Sequence, residues 1–131
     1  MSADTESVDW RQLREFASVD LAQSYVLSWH LEADSLVADI DVHLTPEHPF
    51  YEKPRPAEKH CIRPAVIEFP YCDQIAEDGQ QKAASLSEAV AALRNGRIEE
   101  LRARDGEYEI RGEFGTVRVL AERPLLRLKS G

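Results

Sequence analysis

Residues 24–44, SYVLSWHLEADSLVADIDVHL, alternate apolar and mostly polar side chains at period two on both sides of a polar break. Successive side chains of a strand point to opposite faces, so the pattern predicts two half-buried strands joined by a tight turn. Pairing Leu31 with Leu36 across Glu32-Ala33-Asp34-Ser35 sets Trp29 against Ala38, Leu27 against Ile40 and Tyr25 against Val42. A one-residue slip would destroy that match, so the register is strongly specified. The same pattern places Trp29, Leu27, Ile40 and Val42 in one core with Leu101, Ile110 and Val117.

The last 35 residues repeat the alternation as a meander. Asp105-Gly106 is a two-residue hairpin signal. Centring on it pairs Ala103 with Tyr108 and Leu101 with Ile110 on one face, and Arg102 with Glu109 and Arg104 with Glu107 on the other. A second turn at 112–115 pairs Ile110 with Val117, Tyr108 with Val119 and Glu109 with Arg118. One face is apolar throughout and the other is a ladder of opposite charges, so a wrong register would oppose like charges. Residues 60–69 (HCIRPAVIEF) read as a further strand, with Pro64 marking an edge or a bulge. Leu125–Leu128 reads as a short edge strand after Pro124.

Two segments carry helical spacing. From Val8 to Ala17, Trp10, Leu13 and Ala17 fall at i, i+3 and i+7, which predicts a short amphipathic helix capped by Ser7 or Asp9. Ser85-Leu86-Ser87-Glu88 has the form of a capping box, Leu86, Val90 and Leu93 line one face, and Asn95-Gly96 stops the helix. Residues 70–84 are polar and turn-rich, and residues 1–7 read as a frayed tail. Between 45 and 56 lie four prolines, which exclude a sheet interior or a helix. A loop of about fifteen residues is long for a compact domain, and such loops tend to be functional or disordered. Phe50 and Tyr51 argue for docking on the body.

The fold class expected is therefore mostly β, α+β at the margin: a single-domain antiparallel β-sandwich or open barrel of about seven strands with one or two short helices. The 131 residues suit one domain. No apolar run of the ~18 residues needed for a membrane span occurs, and MSADTESVDW lacks the basic start and apolar core of a signal peptide. A cytoplasmic setting follows as the expectation, with Cys61 and Cys72 as reduced thiols, although a bridge between them is geometrically conceivable.

The net charge of −8 is unevenly placed. Residues 1–50 hold ten acids and two bases, whereas residues 51–131 hold fourteen of each sign. That argues against a nucleic-acid partner, which needs a basic face, and permits a basic protein or a cation. The simpler reading is an ordinary solubilising acidic surface.

No nucleophile elbow, Gly-rich phosphate loop, H-E-x-x-H or C-x-x-C is present. Asp39, Asp41, His43, His48, His60 and Cys61 concentrate the acid–base and metal-capable side chains. Their spacing is generic, and a solvated strand face with a structural His48-Pro49 turn is the simpler reading, so no metal or cofactor is expected. His30 lies opposite Trp29 and reads as a surface residue. The candidate binding residues are His43, His48, Phe50, Tyr51 and His60, grouped around the proline-rich loop.

The runs S-Y-V-L-S-W (24–29), A-D-S-L (33–36), L-T-P-E-H-P-F-Y (44–51), a cysteine in the next strand and G-E-F-G-T-V-R-V (112–119) resemble a group of small bacterial β-rich domains of unassigned function. Some similar domains are immunity proteins of polymorphic toxin systems. The resemblance implies a bacterial cytoplasmic interaction domain with an immunity role, and it brings no catalytic residues. The contrasting expectation is a small metal-dependent or His-based enzyme or ligand-binder with a site near His43, His48 and His60.

Overall fold

The computed structural model describes residues 8–53, 61–77, 85–104 and 106–129. The expected tail over 1–7 and the candidate His60 lie outside them. In chain order the elements are β1 (Val8–Asp9), two 3-10 turns (Trp10–Gln12 and Arg14–Phe16), β2 (Val19–Glu32), β3 (Ser35–Leu44), β4 (Cys61–Phe69), β5 (Gln74–Glu77), α1 (Leu86–Ala91), β6 (Gly96–Arg104), β7 (Glu107–Gly112), β8 (Gly115–Leu120) and β9 (Leu125–Leu128). The strands form one antiparallel sheet in the order β5-β8-β7-β6-β2-β3-β4-β9, with β1 added beside β6. No described helix is long and apolar enough to cross a membrane.

Laid flat, the six strand spacings from β4 to β5 would span about 29 Å. The chain passes from Phe69 to Gln74 in five residue steps, a reach of at most ~18 Å. The sheet must therefore curl until its two edges approach. Three hydrogen bonds tie the approach: Cys72 N–H to Asp34 C=O (2.7 Å), Asp73 N–H to Leu120 C=O (2.8 Å) and Glu122 N–H to Pro70 C=O (2.8 Å). Phe69 of β4 and Tyr108 of β7 meet with ring centroids 5.8 Å apart although three strands separate them in the sheet. The result is a rolled, unclosed sheet, the open-barrel form of the two expected.

The meander pairs as the charge ladder requires: Ala103↔Tyr108, Arg102↔Glu109, Arg104↔Glu107, Ile110↔Val117 and Glu109↔Arg118 are all in register. Leu101, Ile110, Val117 and Val119 are buried on its inner face. Pro64 faces Asp41 of β3 inside the sheet rather than at its edge. Its carbonyl accepts from Lys129 N–H (2.9 Å) where the β9 ladder stops, so the missing Pro64 amide points to a place where no strand continues.

Among the described residues nine strands form where about seven were expected, because β1 and β5 contain too few residues to show a period. The segment 8–17 is not an α-helix. Trp10, Leu13 and Phe16 are its buried residues, at a spacing of three, and Ala17 is exposed. Three residues per turn is the 3-10 repeat. Asp9 caps the first turn, its carboxylate accepting from Arg11 N–H while Gln12 accepts from the Asp9 N–H. In α1 the Ser85 hydroxyl accepts from Glu88 N–H (3.1 Å), and Leu86, Val90 and Leu93 pack on the core as the spacing requires.

The β2–β3 hairpin departs from its expected register in an instructive way. Near the turn, Leu31↔Leu36 and Trp29↔Ala38 hold. Beyond Ser28↔Asp39 the next pair is Val26↔Ile40, so Leu27 is an extra residue in β2. Between Tyr25↔Asp41 and Asp20↔His43, four residues of β2 oppose Val42 alone. Bulges of this kind re-aim side chains. Val26 takes the inner position, and Leu27 and Tyr25, both expected to face inward, are 45% and 42% exposed. Ser24, fully buried, spans the wider bulge: its hydroxyl donates to Asp20 C=O (3.0 Å) and accepts from His43 N–H (3.0 Å).

Candidate binding surface

Of the residues singled out around the proline-rich loop, His48 and Phe50 meet with ring centroids 5.8 Å apart, while His43 lies on a strand. His43 lies on the outer face of β3, between Asp20 of β2 and Ile62 of β4. Cys61 pairs with Leu44 on the inner face and is buried, so its thiol cannot join the His43 imidazole. His48 is consumed by a turn: its N–H donates to Thr45 C=O, its carbonyl accepts from Tyr51 N–H, and its Nδ1 accepts from Phe50 N–H, each at 3.0 Å. Tyr51 packs on the core, as expected of a docked loop, whereas Phe50 is 64% exposed. Glu52 pairs with Arg63 across the same end (2.9 Å). Among the described residues no group of three or more His, Cys, Asp or Glu side chains is arranged to hold a metal ion. Cys61 and Cys72 are unpaired.

A denser polar cluster lies on the outer face of β2 and β3. The Asp39 carboxylate accepts from the Ser28 hydroxyl (2.9 Å), meets His30 Nδ1 at 3.1 Å and Lys129 Nζ at 2.7 Å. His30 Nε2 meets Glu32 at 2.7 Å. Burial pushes the Asp39 carboxyl up, but the Lys129 ammonium and the Ser28 hydroxyl outweigh it and hold the group below its ordinary range. Serine, histidine and aspartate are all present, yet both Ser28 and His30 turn to Asp39 and not to each other. A serine nucleophile needs its hydroxyl on the imidazole, so this order serves structure and not acyl transfer. With Arg127 on Glu68 (2.8 Å), the cluster roofs Val37, which is buried on the outer face. His30, read as a surface residue, is 40% exposed and bridges Asp39 and Glu32 within the β2–β3 hairpin.

Two further features border that cluster. The first is an open cleft of about 510 Å³, lined by Leu27, Trp29, Val90, Arg94, Asn95 and Phe114 among others. It lies where β6 begins: β6 pairs with β2 through Tyr25↔Arg97 and Val26↔Gly96, and the residues before Gly96 lead back to α1 instead of continuing the ladder. Trp29 Nε1–H donates to Arg94 C=O (2.8 Å), its ring meets Phe114 edge-on at 5.8 Å, and Arg94 reaches Phe114 C=O (3.2 Å). Glu113 accepts from Arg97 N–H (2.7 Å) and closes the far side. Gly96 sits at φ +150° with its Cα facing Glu113, where a side chain would collide.

The second feature is the outer face of β2, β3 and β4 toward the loop end. Tyr25 projects there opposite Asp41, Leu27 is exposed at the bulge next to it, and Ile62, 51% exposed, lies two strands over on β4, opposite His43. Asp20 and Asp41 lie in the same rows, opposite His43 and Tyr25, and neither makes an ion pair among the described residues. The face thus carries exposed apolar side chains and carboxylates that make no ion pair among the described residues.

No family model matches the chain, and the comparisons found no similar curated protein or solved structure.

Proposed function

We propose that this chain is a non-enzymatic protein-binding domain whose outer β2–β3–β4 face takes a basic protein partner, in the manner of an immunity protein covering its toxin. The observation that carries the reading is that exposed Tyr25 and Ile62, with Leu27 exposed at the bulge, share a sheet face with Asp20 and Asp41, which make no ion pair among the described residues. Aromatic and aliphatic anchors supply the desolvated centre of such an interface, and a rim of one charge sign steers a partner of the other sign. The excess of acids in residues 1–50 has the same sense, since β2 and β3 carry this face. Two buried, unpaired cysteines suit the reducing cytoplasm of a bacterial cell, which is the setting we assign.

Capture from cells of the source organism, with identification by mass spectrometry, tests the reading. A basic protein should be retained by the native chain and lost both by Ile62→Asp and by the Asp20→Lys/Asp41→Lys double variant. Equal retention by all three would overturn it.

A further inference from the structure

Among the described residues no strand lies beside the part of β2 that borders the cleft. Its ladder to β6 ends at Val26. Across the hairpin, Glu32 pairs with Ser35 around the two-residue turn at Ala33-Asp34. The closing pair of such a turn exchanges its hydrogen bonds, and hydrogen-bonded pairs then alternate along the ladder. Glu32, His30 and Ser28 therefore direct their amides and carbonyls to β3, while Trp29 and Leu31 direct theirs away, to the cleft side. Leu27 C=O on this side is met by the Asn95 side chain at 3.5 Å. Among the described residues no main-chain partner completes Trp29 or Leu31 on that side.

Natural sheets blunt exposed edges with proline, lysine, a bulge or a covering element. From Ser28 to Leu31 none of the first three is present, and beside this edge lies the open cleft, with α1 on its other side. The cleft volume is in the range that accepts one small ligand or a few side chains. Trp29, Val90, Leu93 and Phe114 give it apolar surface beside the polar Arg94 and Asn95. At the turn end stand the carboxylates Glu32 and Asp34, both exposed.

We infer that the Trp29–Leu31 edge of β2 takes up an extended segment of a basic partner as an added strand, held between β2 and α1. Main-chain bonds to Trp29 and Leu31 fix the segment, an apolar side chain fills the cleft, and a lysine or arginine beyond it meets Glu32 and Asp34. Strand addition of this type draws affinity from main-chain bonds and specificity from alternate side chains. The inference rests on the basic-partner reading above and specifies how part of that partner is held.

The test uses the whole chain, ¹⁵N-labelled, and a defined peptide, Lys-Val-Lys-Leu-Lys-Val-Lys. A second peptide carries N-methyl groups on alternate amides, which removes one edge of main-chain donors and keeps every side chain and charge. The plain peptide should shift the Trp29 and Leu31 amide signals and slow their hydrogen exchange at least tenfold. The methylated peptide should bind at least tenfold more weakly, and so should the plain peptide to Ala91→Trp, a substitution at an exposed position that fills the cleft. Equal binding of the two peptides, with shifts at Asp20 and Asp41 instead, would overturn strand addition and leave the acidic-face reading standing. Absence of any shift at millimolar peptide would also overturn strand addition, and the capture experiment judges the acidic face independently.

Discussion

Replacing Ser24 by alanine should destabilise the protein far more than the loss of one hydroxyl suggests. Ser24 is fully buried, and its Oγ bridges Asp20 C=O and His43 N–H, both at 3.0 Å. Asp20 and His43 are register partners at the edge of the wide bulge, and the Ser24 hydroxyl stands between the carbonyl of one and the amide of the other. Removing the hydroxyl leaves a gap between that donor and that acceptor, at ~1–3 kcal/mol for each buried group that stays unsatisfied. Partial relaxation makes ~2–4 kcal/mol the expected total, a fall of roughly 10 °C in Tm for a domain of this size. Urea melts of Ser24→Ala, with Ser87→Ala on the exposed face of α1 as the control expected within ~0.5 kcal/mol, provide the assay. A Ser24→Ala loss below ~0.5 kcal/mol would refute the reasoning, since the bulge would then stand without its bridge. The consequence reaches function. The bulges are what turn Tyr25 and Leu27 outward, so the same variant should weaken partner binding even under conditions where it is fully folded.

Other outcomes follow from burial and charge. Leu101→Ala, at a fully buried site, should cost ~2–5 kcal/mol, whereas Leu27→Ala should stay within ~0.5 kcal/mol in the same melts and yet reduce binding. Asp39 has a depressed folded-state pKa, so its stabilising contribution is present above the unfolded value near pH ~4 and is lost as pH falls through the folded one. Lys129→Met should raise the Asp39 pKa in a carboxyl NMR titration and reduce the stability difference between pH 7 and pH 3; an unchanged titration would refute the assignment. The Cys72 thiol is pushed up to about 11 by burial and, less, by the Asp73 charge, so native-state alkylation near pH 8 should run about 100-fold slower than in denaturant. Fast native labelling of Cys72 would contradict its burial.

What the residue pattern made legible was whatever depends on local period and turn chemistry. The β6–β7–β8 registers followed from Asp105-Gly106 and the charge ladder because any slip there opposes like charges. The tip of the β2–β3 hairpin was equally determined by Trp29, Leu31, Leu36 and Ala38. The bulges were not, because SYVLSW alternates on paper whether or not one residue is extra, and the deciding contact, Ser24 on Asp20 and His43, is a single hydroxyl. The 3-10 turns escaped because Ala17 fitted a 3.6 period as well as Phe16 fitted a period of three. Among the candidate binding residues, Tyr51 docks as the loop argument required, and His48 is spent on its turn as the simpler reading held. His43 is on the proposed face, Phe50 is exposed at the loop, and the cleft was invisible, since it arises where the α1–β6 connection runs past β2 without pairing.

The most direct test of the central claim is the association rate of the captured partner, measured by stopped flow against ionic strength. A partner steered by Asp20 and Asp41 should associate at least tenfold more slowly with Asp20→Lys/Asp41→Lys than with the native chain at ~20 mM salt. The gap should close toward ~500 mM, where screening acts within about 4 Å, while the dissociation rates stay within about threefold. Association that ignores both the charge reversal and the salt would contradict the account and move the binding surface away from the outer face of β2, β3 and β4.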